Sequence, residues 1–275
     1  MEPADRHVVI TGAAGGIGAA LARRFAAAGA RVTVSDLDAG RLEGVAADIG
    51  AHAVAADVSR EDGVRMLIER ARERQGAIDL FFSNAGIAGP AAGPEAPDED
   101  WQRIWQVNVM SHVWAARALL SEMVARGHGY LASTASAAGL LTQISAAPYT
   151  VTKHAAVALA EWIAVNYRDA GVRVSVLCPQ GVRTPMVEMA LEHDPVGSAP
   201  LLAEGLLEPD EVAEVTLAGI REERFLILPH PRVADYLALK GSDPERWLRG
   251  ARRLLAQTRA GARTDAEGRQ ARERP

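Results

Sequence analysis

The stretch His7-Val8-Val9-Ile10-Thr11-Gly12-Ala13-Ala14-Gly15-Gly16-Ile17-Gly18 decides the architecture. Its first five residues form a short apolar run rich in β-branched side chains, the pattern of a buried strand. The glycines that follow permit a tight turn and a close approach of backbone to a pyrophosphate, and a helical pattern opens at Ala19. The amides and dipole of a helix N-terminus favour the negative charge of such a group. Gly12, Gly16, Ile17 and Gly18 are therefore expected to floor a dinucleotide site. The spacing is G-x-x-x-G-x-G, and no Lys-Ser/Thr pair follows, which removes the Walker alternative.

Glycines alone would fit a plain strand–helix turn, but Asp36, at the end of the second apolar run, weighs against that. Its carboxylate can accept from ribose hydroxyls and would repel a 2′-phosphate, while Leu37, Ala13 and Ala14 supply no cation to bind one. NAD is the expected cofactor. Arg23 and Arg41 occupy helical positions that read as exposed charges.

Outward from this unit, short apolar runs recur at 7–11, 31–35, 51–55, 78–83, 130–133, 172–178 and 225–228. Amphipathic, helix-length stretches separate them at about 16–28, 39–48, 60–75, 101–126, 148–169 and 210–220. Strand–helix alternation of this kind calls for a parallel sheet of about seven strands with helices on both faces, a doubly wound α/β fold. No linker divides the chain, so residues 1–258 are expected to form one catalytic domain. The Arg-rich end, 259–275, reads as a disordered, solvated tail. Segments 85–97 and 180–207 break the alternation just after strands, where ligands bind in open parallel sheets, and 185–207 is expected to act as a lid.

Composition narrows the function classes. Hydrophobic residues are 48% and charged residues 24%, which excludes disordered and fibrous classes. A net charge of −5 gives no general field for phosphate backbones or anionic lipid, so neither nucleic acid nor membrane is an expected partner. The single cysteine, Cys178, excludes an intramolecular disulfide framework. No run approaches 18 apolar residues, and Glu2 and Asp5 precede the first apolar segment, so a cytoplasmic location is expected. The seven histidines show no metal-ligand spacing, and no metal is expected.

Tyr149 and Lys153 stand four apart in Pro148-Tyr149-Thr150-Val151-Thr152-Lys153, at the head of a helical stretch, and so share one face. A nearby ammonium, with oxidised nicotinamide adding positive charge, favours the phenolate and makes Tyr149 a usable acid/base. The order and spacing of these residues resemble the short-chain dehydrogenase/reductase family from the first strand to about Leu228. The matching elements are Thr11-Gly12 with Gly16-Ile17-Gly18, Asp57-Val58, Asn84-Ala85-Gly86, Asn108, Ser136, Tyr149 with Lys153, and Pro179 followed by Val182 and Thr184.

The resemblance implies a Rossmann-type fold and a set of roles. Tyr149 would exchange a proton with the substrate oxygen, Ser136 would hydrogen-bond that oxygen, and Lys153 would lower the phenol's pKa and hold the nicotinamide ribose. Asn108 would position a water linking Lys153 to solvent. Asp57 and Val58 would lie at the adenine, Asn84, Ala85 and Gly86 along the ribose side, and Val182 and Thr184 at the carboxamide. Read without the resemblance, Asp57 is a helix cap and Asn84 a turn residue.

Two positions depart from the family pattern. Ser83 stands where a second Asn is common, and Gln180 follows Pro179 where Gly is usual, placing a longer polar side chain close to the nicotinamide or the substrate. His154 reads as a helix-surface residue and Cys178 as inert packing. Trp101, Trp105, Trp114 and Trp162 fall on helices that pack against partner subunits in the family, so a homotetramer is expected, with a dimer as runner-up.

The apolar character of 185–207 and the absence of Arg or Lys beside Ser136 point to a neutral, lipophilic secondary alcohol or its ketone, with a polar handle near Gln180. The rival readings are an NADPH-dependent ketoreductase of the same fold and a catalytically silent NAD-binding regulatory protein. Asp36 argues against the first, and the intact Asn108, Ser136, Tyr149 and Lys153 against the second.

Overall fold

A computed structural model of the chain describes residues 1–89, 91–202 and 204–272, with side chains up to residue 260. Seven parallel strands form one sheet in the order β3-β2-β1-β4-β5-β6-β7. They are β1 (His7–Thr11), β2 (Arg31–Asp36), β3 (His52–Ala55), β4 (Leu80–Ser83), β5 (Gly129–Thr134), β6 (Val172–Leu177) and β7 (Leu226–Ile227). Each falls within a residue or two of its apolar run.

The two-residue period of the strands divides their side chains between two cores. Val8 and Ile10 of β1, with Leu80 and Phe82 of β4, pack under the helices α1 (Gly16–Ala27), α2 (Ala39–Ile49) and α9 (Pro209–Arg221). Val9 and Phe81 point the other way, under α3 (Glu61–Gln75), α5 (Ser111–Ala125) and α6 (Ala147–Tyr167). All four residues of β4 are buried, and its three large apolar side chains, Leu80, Phe81 and Phe82, each contribute about 1.5–3 kcal/mol by leaving water. The sheet is a Rossmann fold with helices on both faces.

The strand order reverses between β1 and β4, which opens a crevice beyond their carboxyl ends. β1 delivers the glycine loop to that crevice, and β4 delivers Asn84, Ala85 and Gly86.

The helix expected over 101–126 is broken. α4 (Asp98–Trp105) passes into a π-helical turn, Gln106–Met110, before α5 begins. Such a turn inserts an extra residue into the helical ladder, and it carries the fully buried Asn108.

Segment 185–207 is two short helices, α7 (Pro185–His193) and α8 (Pro195–Leu202). Pro185 starts α7 where a missing N–H costs nothing, and the Thr184 hydroxyl accepts from Val187 N at 3.4 Å. α10 (Arg232–Ser242) and α11 (Pro244–Arg272) follow β7, and α11 packs on α8 and α10. Of the tail expected at 259–275, the side chains from 261 on and the whole of 273–275 lie outside the described residues. No helix among the described residues is long and apolar enough to cross a membrane.

Candidate active site

The glycine loop is shaped by contacts that exclude side chains. Gly12 has φ +66°, and a Cβ there would stand 2.7 Å from Ala85 Cα; a Cβ on Gly18 would collide with the Gly12 carbonyl oxygen. Asn84 ties the same loop to the sheet. Its Nδ2 donates to Thr11 O at 3.0 Å and Gly12 O at 3.2 Å, and its Oδ1 accepts from Thr134 Oγ1 at 2.8 Å. Asn84 is thus an internal brace whose side chain is engaged on three sides.

A cavity of about 380 Å³ opens above this loop. It runs from Gly12, Gly16, Ile17 and Gly18 past Asp36 to Asn84, Ala85 and Gly86, and ends among Ser136, Tyr149, Lys153, Gln180, Val182 and Thr184. A loop whose Cβ positions are closed by backbone, a carboxylate at one end and a phenol–ammonium pair at the other fit an extended nicotinamide dinucleotide. At the ribose end Asp36 Oδ2 accepts from Ala14 N at 3.0 Å and Oδ1 from Asp38 N at 3.2 Å.

Asp57 and Val58, expected at the adenine, are not among the residues lining this cavity. Asp57 Oδ1 accepts from Ser59 N at 2.9 Å, the capping turn that its position before α3 allows, and Val58 packs on the core. Arg41, by contrast, lines the cavity, and a Cβ on Gly15 would stand 3.0 Å from its guanidinium. Arg41 is an exposed helix charge as expected, and because the first turn of α2 faces the loop it also reaches the cavity. Arg23 instead pairs with Asp48 at 3.5 Å on the surface.

At the nicotinamide end, Lys153 Nζ donates to Thr134 O at 2.9 Å and lies 5.7 Å from the Tyr149 ring centre. A Cβ on Gly86 would stand 3.2 Å from that Nζ and 3.3 Å from Asn108 Oδ1, so any larger residue would crowd both groups. Burial lowers the Lys153 ammonium to about 8 and raises the Tyr149 phenol above its ordinary value, and the Ser136 hydroxyl's hydrogen bond to the phenol works against that rise. In the chain by itself desolvation therefore outweighs the expected lowering of the phenol by Lys153.

Ser136 opens a 3₁₀ turn, Ala137–Gly139, and its Oγ accepts from Ala138 N at 3.1 Å. Asn108 is fully engaged: Nδ2 donates to Ile87 O at 2.9 Å and Thr152 Oγ1 at 3.2 Å, and Oδ1 accepts from Ile87 N at 2.9 Å. It clamps the chain leaving β4 to α6 beside Lys153. Cys178 is buried and its thiol is raised by desolvation to about 12, as inert packing requires.

Gln180 links the cofactor cavity to a second one. Its Nε2 donates to Pro200 O of α8 at 2.6 Å, and its buried Oε1 has no partner among the described residues. The second cavity, about 410 Å³, shares Ser136 and Gln180 with the first. Its walls come from 137–144, α8, α10 and α11, and not from the expected segment 85–97, of which only Ala85 and Gly86 reach the cofactor cavity. Pro90 in that segment lies outside the described residues. Neither α10 nor α11 is among the helix-length stretches expected from the sequence, which end at 210–220.

A family model described as short chain dehydrogenase matches residues 6–195. The 1-deoxy-11-beta-hydroxypentalenate dehydrogenase of Streptomyces arenae is 38% identical, over 82% of this chain and 83% of that protein. The 2-(R)-hydroxypropyl-CoM dehydrogenase of Xanthobacter autotrophicus is 37% identical, over 69% and 79%. A short chain dehydrogenase/reductase from Burkholderia phymatum, solved in complex with NAD, superposes with a TM-score of 0.82 at 31% identity, over 89% of this chain and 96% of that one. The glycine loop, the Ser136–Tyr149–Lys153 cluster and these likenesses have one common account: the chain belongs to the short-chain dehydrogenase/reductase family and is an oxidoreductase of the alcohol dehydrogenase type.

Proposed function

We propose that this enzyme interconverts a lipophilic secondary alcohol and its ketone with NAD as the hydride carrier and Tyr149 as the acid/base. The observation that carries this reading is the junction of the two cavities: Ser136 and Gln180 belong to both, and Tyr149 and Lys153 close the cofactor side. When bound, the dinucleotide accepts or supplies the hydride. The Tyr149 hydroxyl moves a proton to or from the substrate oxygen, and Ser136 donates to that oxygen as charge develops on it. Lys153, held against Thr134 O, orients the ribose side and keeps positive charge near the phenol. Asn108 and Asn84 hold the backbone on which these groups stand. The apolar second cavity accepts the carbon skeleton, in keeping with a relative named for a hydroxypentalenate substrate.

Arg41 supports a second reading, NADP use, since its guanidinium lies at the phosphate loop. Asp36 favours NAD because its carboxylate lines the same end of the cavity, held by the Ala14 amide, where it would accept from ribose hydroxyls and repel a 2′-phosphate. Specificity constants with both cofactors on a panel of cyclic and aryl alcohols decide between them. NAD is expected to lead NADP by about tenfold or more, and Asp36→Ala to shrink the ratio by removing a ribose acceptor and a repulsive charge. A wild-type preference for NADP would transfer the assignment to Arg41.

A further inference from the structure

Resting on the hydride-transfer reading, we propose that the second cavity takes a lipophilic ketone or alcohol that also carries a carboxylate, held at the cavity mouth by Arg246 and Arg253. The expectation of an uncharged substrate depended on there being no cation near Ser136, and α11 supplies two.

The face that α11 turns to the cavity is built by periodicity. Trp247, Gly250, Ala251 and Leu254 fall at i, i+3, i+4 and i+7 and line it. Arg246 and Arg253, also seven apart and also lining it, run along one flank of that stripe, roughly 10 Å apart along the axis. Both are exposed residues that line the cavity, so they stand at its mouth and not at the reacting end, where Ser136 and Gln180 lie.

Charge balance argues for an anion. No Asp or Glu lines the cavity, and neither arginine has an ion pair among the described residues, although Arg72, Arg117, Arg173 and Arg183 all do. Glu204, which accepts from the cavity residue Tyr236 at 2.9 Å, is already paired with Arg232 at 3.3 Å and neutralises neither. Two uncompensated guanidinium groups over an apolar hollow, in a chain of net charge −5, make a local cationic rim. A guanidinium fork matches a carboxylate geometrically, and the apolar walls suit a hydrocarbon skeleton between the two ends.

The reaction leaves the carboxylate unchanged. In the reducing direction the carbonyl carbon gains a hydride, and with it two electrons, from the reduced dinucleotide, and the carbonyl oxygen gains the Tyr149 proton.

The test compares a decalone carboxylate with its methyl ester. Specificity constants for reduction are measured for the wild type, for the pair Arg246→Gln with Arg253→Gln, and for Arg249→Gln with Arg252→Gln, which alters the same helix away from the cavity. The acid is expected to lead the ester by about tenfold in the wild type and in the second pair, and to fall to near parity in the first pair through KM. Calorimetric titration of the keto acid into protein saturated with oxidised cofactor, where the ketone cannot turn over, is expected to show the same loss of affinity in the first pair alone. Equal use of acid and ester, or a preference that survives the first pair, would overturn the anion site while leaving hydride transfer intact. Binding of the acid that depends on both arginines, with no turnover of either compound, would instead uphold the anion site and overturn the proposed reaction. Neither binding nor turnover would overturn both.

Discussion

Burial sets the protonation of Tyr149 and His112, and the two shifts have different consequences. The raised Tyr149 phenol keeps its proton at neutral pH, which suits donation to a carbonyl oxygen; acceptance from an alcohol draws on the nearby cations. His112 lies on α5 behind Lys153, with its Nε2 unpartnered, and desolvation pushes it down to about 3 with the Lys153 charge adding to the shift. The sign of its effect on stability follows directly. Between pH 6.5 and about 3 the unfolded chain binds a proton at this residue that the folded chain refuses, so falling pH disfavours the fold. In urea titrations at pH 7, 6 and 5, His112→Gln is expected to flatten the acid loss of stability by up to about 1.4 kcal/mol per pH unit, the value of one proton. Identical slopes in the variant and the wild type would show that His112 is protonated freely in the fold.

Elements differ in how openly the sequence declares them. The seven strands were legible because each is a short apolar run bounded by turn residues, and the glycine loop, Asp36, Ser136, Tyr149 and Lys153, picked out by their order along the chain, all line one cavity. The π-helical turn at Gln106–Met110 was not, since one inserted residue hardly disturbs apolar periodicity. α11 was hidden by its arginines, which mask the stripe of Trp247, Gly250, Ala251 and Leu254. The departure at Gln180 could be seen in the sequence, but not its partner. The partner is α8, whose Pro200 carbonyl it holds at 2.6 Å, while Gln143 Nε2 holds Gly197 O at 2.6 Å. Gln180→Gly, the residue usual in the family, is expected to loosen α8 and raise KM for a lipophilic ketone about tenfold, with the dissociation constant for the cofactor within twofold of the wild type. A change in cofactor affinity as large as that in KM would place Gln180 in the nucleotide site instead.

At the scale of the whole molecule, one face remains apolar. Trp162 is 56% exposed and Val165 78%, both on α6, and Trp105 of α4 is 39% exposed. Surfaces of this kind are covered in oligomers, and we propose that α4, α5 and α6 form subunit contacts in a homotetramer, a dimer being the runner-up. Sedimentation equilibrium is expected to give four times the monomer mass, reduced by Trp162→Glu with Val165→Glu; a wild-type monomer would contradict it.

The central claim is that a proton and a hydride move at the junction of the two cavities, with the proton on Tyr149. The direct test is Tyr149→Phe, which removes one oxygen and leaves the glycine loop, Asp36 and Lys153 untouched. Cofactor affinity by calorimetry and turnover of a cyclic alcohol are measured on the same preparation. Affinity close to that of the wild type with turnover lowered on the order of 10²-fold or more is the expected result. Near-normal turnover in Tyr149→Phe would contradict it.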